Sequence, residues 1–331
     1  MVNIQKGMLD EVAIKSIVKG MLTFVPSWQW IRRKEGGGAS SARYCYSVWL
    51  RHRILAAKCG FISQPETVAE LGPGDSIGTG LTALLSGCKA YLAFDIVPFT
   101  ALEKNLKVFD ELVELFRQRT PIPDDAEFPN LYPRLDHYGF PVDLFSSDHL
   151  KGTLEEHRVR AIREGLLTGD AQTKHIVNIR YVAPWDSKNI IEANSVDMIF
   201  SQAVMEHVDD LHTSYRVMHQ WLKPGGIISH EIDFKCHKTA YYWNGHWTYP
   251  DFIWKIIRGR RPYFLNRQTC GRHLDLMQHA GFEIAYVNRQ ERAQSIQRTH
   301  LCRELKNTTD DDLITASAYI VAFKKEGHEK R

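Results

Sequence analysis

The chain has 331 residues, 44% hydrophobic and 24% charged, which is typical of a folded globular protein and excludes a disordered or fibrous one. Its formal net charge of +3 is too small to indicate a nucleic-acid partner, and no apolar run is long enough to span a membrane. The six cysteines lie far apart without a C-x-x-C pair, and residues 1–6 lack a secretion-signal layout. We therefore expect a cytoplasmic protein without disulfides.

The first predicted element is an amphipathic helix over residues 9–25. Its apolar positions follow helical spacing and are Ile14, Ile17, Val18, Met21, Leu22 and Val25. Lys15 and Lys19 lie between them. We interpret this segment as a helix packed on the body of the protein; the alternative is a helix that makes weak peripheral contact with a membrane surface.

A second helix is predicted over residues 41–58, after a flexible glycine- and serine-rich stretch at 36–41. It ends before Gly60, as helices commonly do at a glycine. Together these elements predict an N-terminal helical cap over residues 1–62.

From residue 63 onward, short apolar runs alternate with helical patterns. The predicted strands cover residues 67–71, 90–95, 179–183, 196–202, 226–232, 282–288 and 316–323. The predicted helices cover 76–85, 100–117, 150–166 and 211–222, and residues 119–145 look irregular. Repeated β-α-β order predicts an α/β fold with a doubly wound, mostly parallel sheet. We expect one domain over 63–331, with insertions at about 96–175 and 234–280 that shape a substrate pocket.

A glycine-rich turn at residues 70–80 follows the first predicted strand and opens a helix. Gly72 and Gly74 allow a tight turn and a close approach of bare backbone to a ligand. The dinucleotide fingerprint G-x-G-x-x-G would need glycine at the position of Ile77, so a nicotinamide oxidoreductase is disfavoured. Glu70 would place a carboxylate near the ammonium group of a cationic amino-acid ligand.

Asp95 stands at the end of the second predicted strand. A carboxylate there can accept hydrogen bonds from both hydroxyls of a ribose. Enzymes with different nucleoside cofactors bind the ribose in this way, so Asp95 indicates a nucleoside without identifying it. The alternative is an aspartate that only caps a helix.

Residues 195–210 (SVDMIFSQAVMEHVDD) and 221–226 (WLKPGG) resemble class I S-adenosylmethionine-dependent methyltransferases, which have a Rossmann-like fold. With the turn and Asp95, the resemblance covers about residues 65–235. It implies S-adenosylmethionine (SAM) as the cofactor and a last antiparallel strand at 316–323. The third glycine of the family turn is replaced by Ser76, which can still cap the helix. The implied cofactor-binding residues are Glu70, Gly72, Gly74, Ser76, Asp95, Ile96, Ala183 and Gln202, with Tyr44 of the helix that closes over the cofactor; Arg51 on the same helix is a weaker candidate.

The segment HEIDFKCH begins at the end of the fifth predicted strand and supplies His230, Asp233 and His237. Methyl transfer to a hydroxyl needs a base for the departing proton, and histidine or aspartate fits that role. The same three residues could instead bind a divalent metal or serve only to hold a loop, and we predict no metal. His207, beside Glu206, is a second candidate base near the methionine part of SAM.

An aromatic and basic segment over residues 241–267 predicts a lid or acceptor pocket. The order H-x-I-D, W-N-x-H-W, N-R and G-F-E-I resembles bacterial methyltransferases that accompany cell-surface polysaccharide genes. We therefore expect methyl transfer to an oxygen of a sugar or glycan precursor. The alternatives are a natural-product or aromatic small-molecule acceptor, and a SAM-binding scaffold without turnover.

Overall fold

One seven-stranded sheet organises the computed structural model, which describes residues 11–25, 41–168, 176–185, 191–293 and 296–325. The strands are β1 Thr67–Leu71, β2 Ala90–Phe94, β3 Asn178–Val182, β4 Val196–Gln202, β5 Leu222–Asp233, β6 Phe282–Glu291 and β7 Thr315–Lys324. Their order is β3-β2-β1-β4-β5-β7-β6. Among the described strands, only β7 runs in the direction opposite to all the others, so it is antiparallel to both β5 and β6. This sheet confirms the predicted α/β fold class and the antiparallel last strand.

Helices cover both faces of the sheet. They are α1 Glu11–Leu22, α2 Ala42–Lys58, α3 Gly78–Leu85, α4 Leu102–Arg117, α5 Ser147–Thr153, α6 Glu156–Thr168, α7 Leu211–Trp221, α8 Asp251–Arg258, α9 Cys270–His279 and α10 Asp310–Ile314. Helices α2 to α6 build a core cluster on one face, and α7 and α9 build a second cluster on the other. Residues between α4 and α5 form neither helix nor strand, as the sequence predicts.

Two element boundaries differ from the sequence prediction for local reasons. The single helix predicted over 150–166 is two helices, and the first is capped by Ser146, whose Oγ accepts from the backbone N–H of His149. The helix after the glycine turn begins at Gly78 instead of residue 76, because the side chain of Asn105 binds the backbone N–H of Ile77 and holds the turn open.

The strand order places a ligand-binding edge in the middle of the sheet. The chain winds outward from β1 in one direction through β2 and β3, and in the other direction through β4 and β5. At the carboxyl end of such a switch point the following loops diverge and leave a crevice, and open α/β sheets bind their ligands there. The glycine turn after β1 and Asp95 after β2 therefore meet at one edge.

The N-terminal helices pack in two different places. Helix α2 is buried in the main core through Tyr46, Trp49 and Leu50, whereas α1 packs against α8 in a small separate cluster with Tyr249 and Trp254. The division into a cap over 1–62 and a domain over 63–331 stays a prediction. Residues 36–40 of the predicted flexible stretch lie outside the described residues.

Most of the aromatic segment serves packing. Trp247, Tyr249 and Trp254 are buried, while Tyr241 is exposed. Arg267 binds the carbonyl of Tyr249 and lies over the ring of Trp254. All six cysteines are free, and no described helix has both the length and the apolar character needed to cross a bilayer.

Candidate active site

Two cavities open at the carboxyl edge of the sheet, on either side of the chain where it leaves β4. The first cavity has a volume of about 360 Å³ and the second about 300 Å³, both within the usual range for small-molecule sites. Val204 lines the first and its neighbour Ala203 lines the second. Ala203 has a φ of 53°, an uncommon conformation for a residue with a side chain. A sharp bend after β4 thus separates the two cavities.

The glycine turn forms one wall of the first cavity. Gly72 has a φ of 63° and Gly74 a φ of 73°, both in the left-handed region that favours glycine. A Cβ on Gly72 would lie 2.6 Å from Cγ2 of Val204, closer than two carbon atoms can approach. The turn therefore needs glycine both for its backbone angles and for the space that it leaves.

Asp95 also lines the first cavity, beside the glycine turn, and connects the turns that follow β1 and β2. Its Oδ2 accepts a hydrogen bond from the backbone N–H of Gly74 at 3.3 Å, and its Oδ1 accepts one from the N–H of Ile96 at 2.7 Å. Burial raises the pKa of Asp95, although these N–H groups oppose the shift. A carboxylate oxygen has a second lone pair, so Asp95 can still accept from ribose hydroxyls.

Two further residues of the predicted cofactor site lie behind the glycine turn. Glu70 is buried and its carboxylate accepts a hydrogen bond from the hydroxyl of Tyr91. Burial raises the pKa of Glu70 to about 8. Ser76 is also buried, and its Oγ accepts from the backbone N–H of Gly78 at 3.3 Å, but the N-cap position of α3 is occupied by Ile77. Neither residue lines one of the two cavities, so their present contacts support the turn.

The other predicted cofactor residues divide between the cavities. Ile96 and His207 line the first cavity, while Tyr44 and Gln202 line the second. Ala183 lines neither, but it stands two residues before Trp185, which does line the first cavity and packs against Phe94 and Trp221. The sequence analysis did not single out Trp185. A half-buried aromatic ring just after β3 suits a flat base.

The first cavity fits a nucleoside cofactor. It combines a carboxylate for a ribose, Asp95, with bare backbone at Gly72 and an apolar wall that includes Trp185 and Val217. These observations agree with the donor set and shape that an adenosine group requires.

Arg51 supports one wall of the second cavity. Its side chain is buried and donates to the carbonyl oxygens of Pro123, Leu131 and Pro133. The loop held in this way supplies residues 127–131 to the cavity wall. Arg51 therefore positions a loop rather than lining either cavity, a role that depends on contacts far apart in the sequence.

A buried chain of hydrogen bonds holds Gln202 at the floor of the second cavity. His52 Nε2 lies 3.2 Å from Oε1 of Gln202, and His52 Nδ1 lies 2.7 Å from Oγ of Ser229. Burial lowers the pKa of His52 to about 4, so its imidazole is neutral at pH 7. Gln202 in turn donates from Nε2 to the carbonyl of Tyr132 at 3.0 Å and to Glu231 Oε2 at 3.3 Å.

The structure separates the histidine and aspartate of the HEID segment. Successive side chains of a strand point to opposite faces, so Glu231 and Asp233 of β5 face the second cavity. His230 is fully buried on the other face, where its Nδ1 lies 2.7 Å from Oγ of Ser201. Burial lowers its pKa to about 3. His230 lines neither cavity, and Glu231, not nominated from the sequence, takes its place there.

The other predicted catalytic residues form a row that joins the two cavities. His237 Nε2 lies 3.2 Å from Oδ2 of Asp233, and the His237 and His207 rings have centroids 5.3 Å apart. His207 lines the first cavity and Asp233 the second. Burial raises the pKa of Asp233, but the bond from His237 and the charge of Lys235 outweigh it, and its pKa falls to about 2. Burial and the neighbouring His237 lower the pKa of His207 to about 4.

Two buried glutamates adjoin this row. Burial and the charge of Asp233 raise the pKa of Glu231 to about 8. Burial and the charges of Glu231 and Asp233 raise the pKa of Glu206 well above its usual range. Neither carboxylate oxygen of Glu206 makes a hydrogen bond of normal geometry to the described residues. The raised pKa values of Glu206 and Glu231 favour their neutral forms, whereas the lowered pKa of Asp233 favours its ionised form. Within the described ranges, no three His, Cys, Asp or Glu residues are grouped so as to hold a metal ion.

Comparison with known proteins agrees with this arrangement. Residues 168–229, less than half of the chain, match a family model described as "Methyltransferase domain". That segment contains β3, β4, α7 and part of β5. It therefore includes both residues 195–210 and residues 221–226, the two motifs that carry the sequence resemblance. No curated protein matches the chain.

Many solved structures match the chain, at low similarity. One is a SAM-dependent methyltransferase from Mesorhizobium loti, with 15% identity, 81% of this chain and 96% of that chain covered, and a TM-score of 0.36. Another is from Methanosarcina mazei, described among SAM-dependent methyltransferases, with 14% identity, coverage of 80% and 95%, and a TM-score of 0.41. At these values the likenesses carry no functional argument. The matched family segment supports methyltransferase activity, with SAM as the expected cofactor.

Proposed function

We propose that the protein transfers the methyl group of SAM to an oxygen of a sugar or glycan precursor held in the second cavity. The observation that carries this proposal is the row of side chains from His207 through His237 to Asp233, because it joins the wall of one cavity to the wall of the other. Methyl transfer requires a donor and an acceptor in line, and adjoining sites meet that requirement.

Gly72, Asp95 and Trp185 would hold the cofactor in the first cavity, and SAM supplies an electrophilic methyl group when bound. The acceptor hydroxyl loses a proton during the transfer. Asp233 orients His237 and stabilises the imidazolium that forms when His237 takes this proton, as in other Asp–His pairs. A positioned base of this kind contributes roughly 10²–10⁴ in rate.

The polar side chains on the wall of the second cavity support a polyhydroxylated acceptor. Its wall carries an ionised carboxylate on Asp233, a neutral carboxyl on Glu231, the amide of Gln202 and the ammonium of Lys235. Such a mixture of donors and acceptors matches sugar hydroxyls, each of which donates one hydrogen bond and accepts others. Tyr44 and Phe128, whose rings meet edge to face at 5.6 Å, instead favour an aromatic acceptor, which is the second candidate.

The test is transfer of radiolabel from methyl-labelled SAM to two acceptor panels, one of nucleotide sugars and oligosaccharides and one of phenols. We expect label in the sugar panel that resists mild base, as an ether does. Label in phenols alone would favour the aromatic acceptor. Cofactor binding with no transfer to either panel would favour a scaffold without turnover.

Variants define which residues act in the transfer. Asp233→Asn and His237→Gln are expected to keep cofactor affinity and to lower kcat by roughly 10²-fold or more. His137→Gln, a change at an exposed histidine far along the chain, is the matched control and should leave kcat unaltered. Normal turnover in both site variants would contradict the assigned base.

A further inference from the structure

Helix α1 exposes several of its large apolar side chains and buries its small ones, while Ile17 and Leu22 are half-buried. Ala13, Ser16 and Gly20 are its buried residues, followed by Thr23 just beyond its end. Ile14, Val18, Met21 and Val25 are between 44% and 51% exposed. An amphipathic helix on a globular protein normally turns its apolar stripe inward, so the orientation of α1 is inverted.

The inverted orientation is held by close packing against α8. A Cβ on Gly20 would lie 1.9 Å from the carbonyl oxygen of Ile256, so only glycine allows this approach. Thr23 adds a second contact, because its Oγ1 accepts from the backbone N–H of Arg260 at 2.8 Å. Rotating α1 to bury its apolar stripe would break both contacts.

The exposed stripe is continuous. At about 100° per residue, positions 14, 18 and 21 of the helix fall within about 60° of one another and lie nearly opposite the buried face. Val25 is exposed just beyond the end of the helix, and we name these four residues the α1 apolar stripe. Phe24, also 50% exposed, extends it beyond the end of the helix.

Basic side chains flank the α1 apolar stripe. Lys15 and Lys19 lie along one side of it, and Arg260 lies over the ring of Phe24 at 5.1 Å. Glu11 is the acidic residue of the described helix, and it pairs with Lys15 in an exposed ion pair. An apolar stripe beside positive charge matches the acyl boundary and the anionic headgroups of a membrane surface.

We propose that the α1 apolar stripe and its basic flank dock the protein onto a membrane surface that contains anionic lipid. A second copy of the chain is a poorer occupant, because a stable protein interface buries about 800 Å² on each partner. Helix α1 has 12 residues and is about 18 Å long, so its stripe supplies a small part of that area. Insertion into a bilayer interface needs no such continuous area, since each apolar side chain partitions separately.

Helix α8, against which the buried face of α1 packs, also reaches the first cavity. Arg258 at the end of α8 pairs with Asp209, and Asp209 lines that cavity. The proposal does not depend on the identity of the methyl acceptor.

The test is co-sedimentation of the full chain with vesicles of phosphatidylcholine, with and without about 30% phosphatidylserine. We expect partitioning onto the anionic vesicles, reversed by high salt, and at least tenfold less onto pure phosphatidylcholine. The double variant Val18→Gln/Met21→Gln should lower anionic binding by roughly 10²-fold, because each side chain contributes about tenfold when half inserted. Lys19→Gln should lower it about fivefold.

Ile62→Gln is the matched control, because Ile62 is 76% exposed and lies far from α1 in the sequence. It should bind vesicles like the wild type. Unchanged binding of the double variant would overturn the proposal, and so would equal binding of both vesicle types. A dimer in light scattering that dissociates in the double variant would assign the stripe to a second copy. The rise in melting temperature on adding SAM, measured on the same variants, tests the first cavity separately from membrane binding.

Discussion

Gly72 offers the sharpest test of the first cavity, because its two requirements can be separated. Replacement by alanine places a Cβ at a φ of 63°, which costs about 1 kcal/mol. The same Cβ would lie 2.6 Å from Cγ2 and 3.0 Å from Cγ1 of Val204. Overpacking of this degree costs typically 1–3 kcal/mol, so we expect Gly72→Ala to destabilise by about 2–4 kcal/mol.

The double variant Gly72→Ala/Val204→Ala isolates the steric part. Val204→Ala removes both Cγ atoms that the new Cβ would meet, so only the backbone cost of about 1 kcal/mol should remain at position 72. The two changes should therefore couple by about 1–3 kcal/mol in a double-mutant cycle. Both residues line the first cavity, so cofactor affinity should fall at least tenfold in Gly72→Ala and partly recover in the double variant.

Urea unfolding and calorimetric titration with S-adenosylhomocysteine measure the two effects. Gly139→Ala is the matched control, because nothing lies within 4 Å of its Cβ position, and its stability and affinity should equal the wild type. Additive free energies in the cycle would refute the steric argument. Unchanged affinity in Gly72→Ala would remove the glycine turn from the cofactor site.

Three further predictions concern single groups. Asp95→Ala should lower affinity for S-adenosylhomocysteine by roughly 10–100-fold, because hydrogen bonds to a charged group contribute about 1.5–3 kcal/mol. Asp143→Ala is its control, and an affinity of Asp95→Ala equal to that of the control would exclude Asp95 from the site. Glu206→Gln should raise the melting temperature at about pH 8.5 but not at about pH 5. Because the pKa of Glu206 is raised in the folded protein, the free energy of unfolding falls as the pH rises above the pKa of the unfolded chain, about 4.3. An equal rise in melting temperature at both pH values would show that the charge of Glu206 is not the cause. His230→Ala should destabilise the protein by about 1–3 kcal/mol, because it leaves the buried Ser201 hydroxyl without its hydrogen-bond partner. A variant of normal stability that has lost turnover would instead identify His230 as the catalytic base.

The fold was predictable because its signals are local. Apolar runs of the right length, separated by helical periodicity, specify strands and helices through contacts between near neighbours in the chain. The order of these elements then restricts the sheet to parallel, right-handed crossovers. Gly72 and Asp95 were predictable for the same reason, since each stands directly after a strand whose end must lie at the ligand-binding edge.

The sequence grouped His230, Asp233 and His237 as candidate catalytic residues, and that role stays a prediction. The structure places His237 3.2 Å from Asp233, but it buries His230 on the opposite face of β5. The strand period of two already separates His230 from Asp233 and joins Asp233 to Glu231. That signal was present in the sequence, and it required knowing that β5 continues to Asp233 instead of ending at residue 232.

Other features depend on groups distant in the chain. Arg51 reaches a loop about 70 to 80 residues later, and no local pattern reveals which carbonyls it will meet. The amphipathic pattern of α1 predicts a helix with its apolar stripe buried. In the structure the close contact of Gly20 with α8 buries the small-residue face instead and leaves the apolar stripe exposed.

Sequence was therefore sufficient for the α/β order and for the positions of the glycine turn and Asp95 at the carboxyl edge of the sheet, because these follow from neighbours along the chain. The pairing of two cavities, the burial of His230 and the outward stripe of α1 arose only on folding. Each depends on which surfaces distant in the chain pack together. The backbone contact of Gly20 decides which face of α1 is exposed, and the face of β5 on which a residue lies decides whether its side chain lines a cavity.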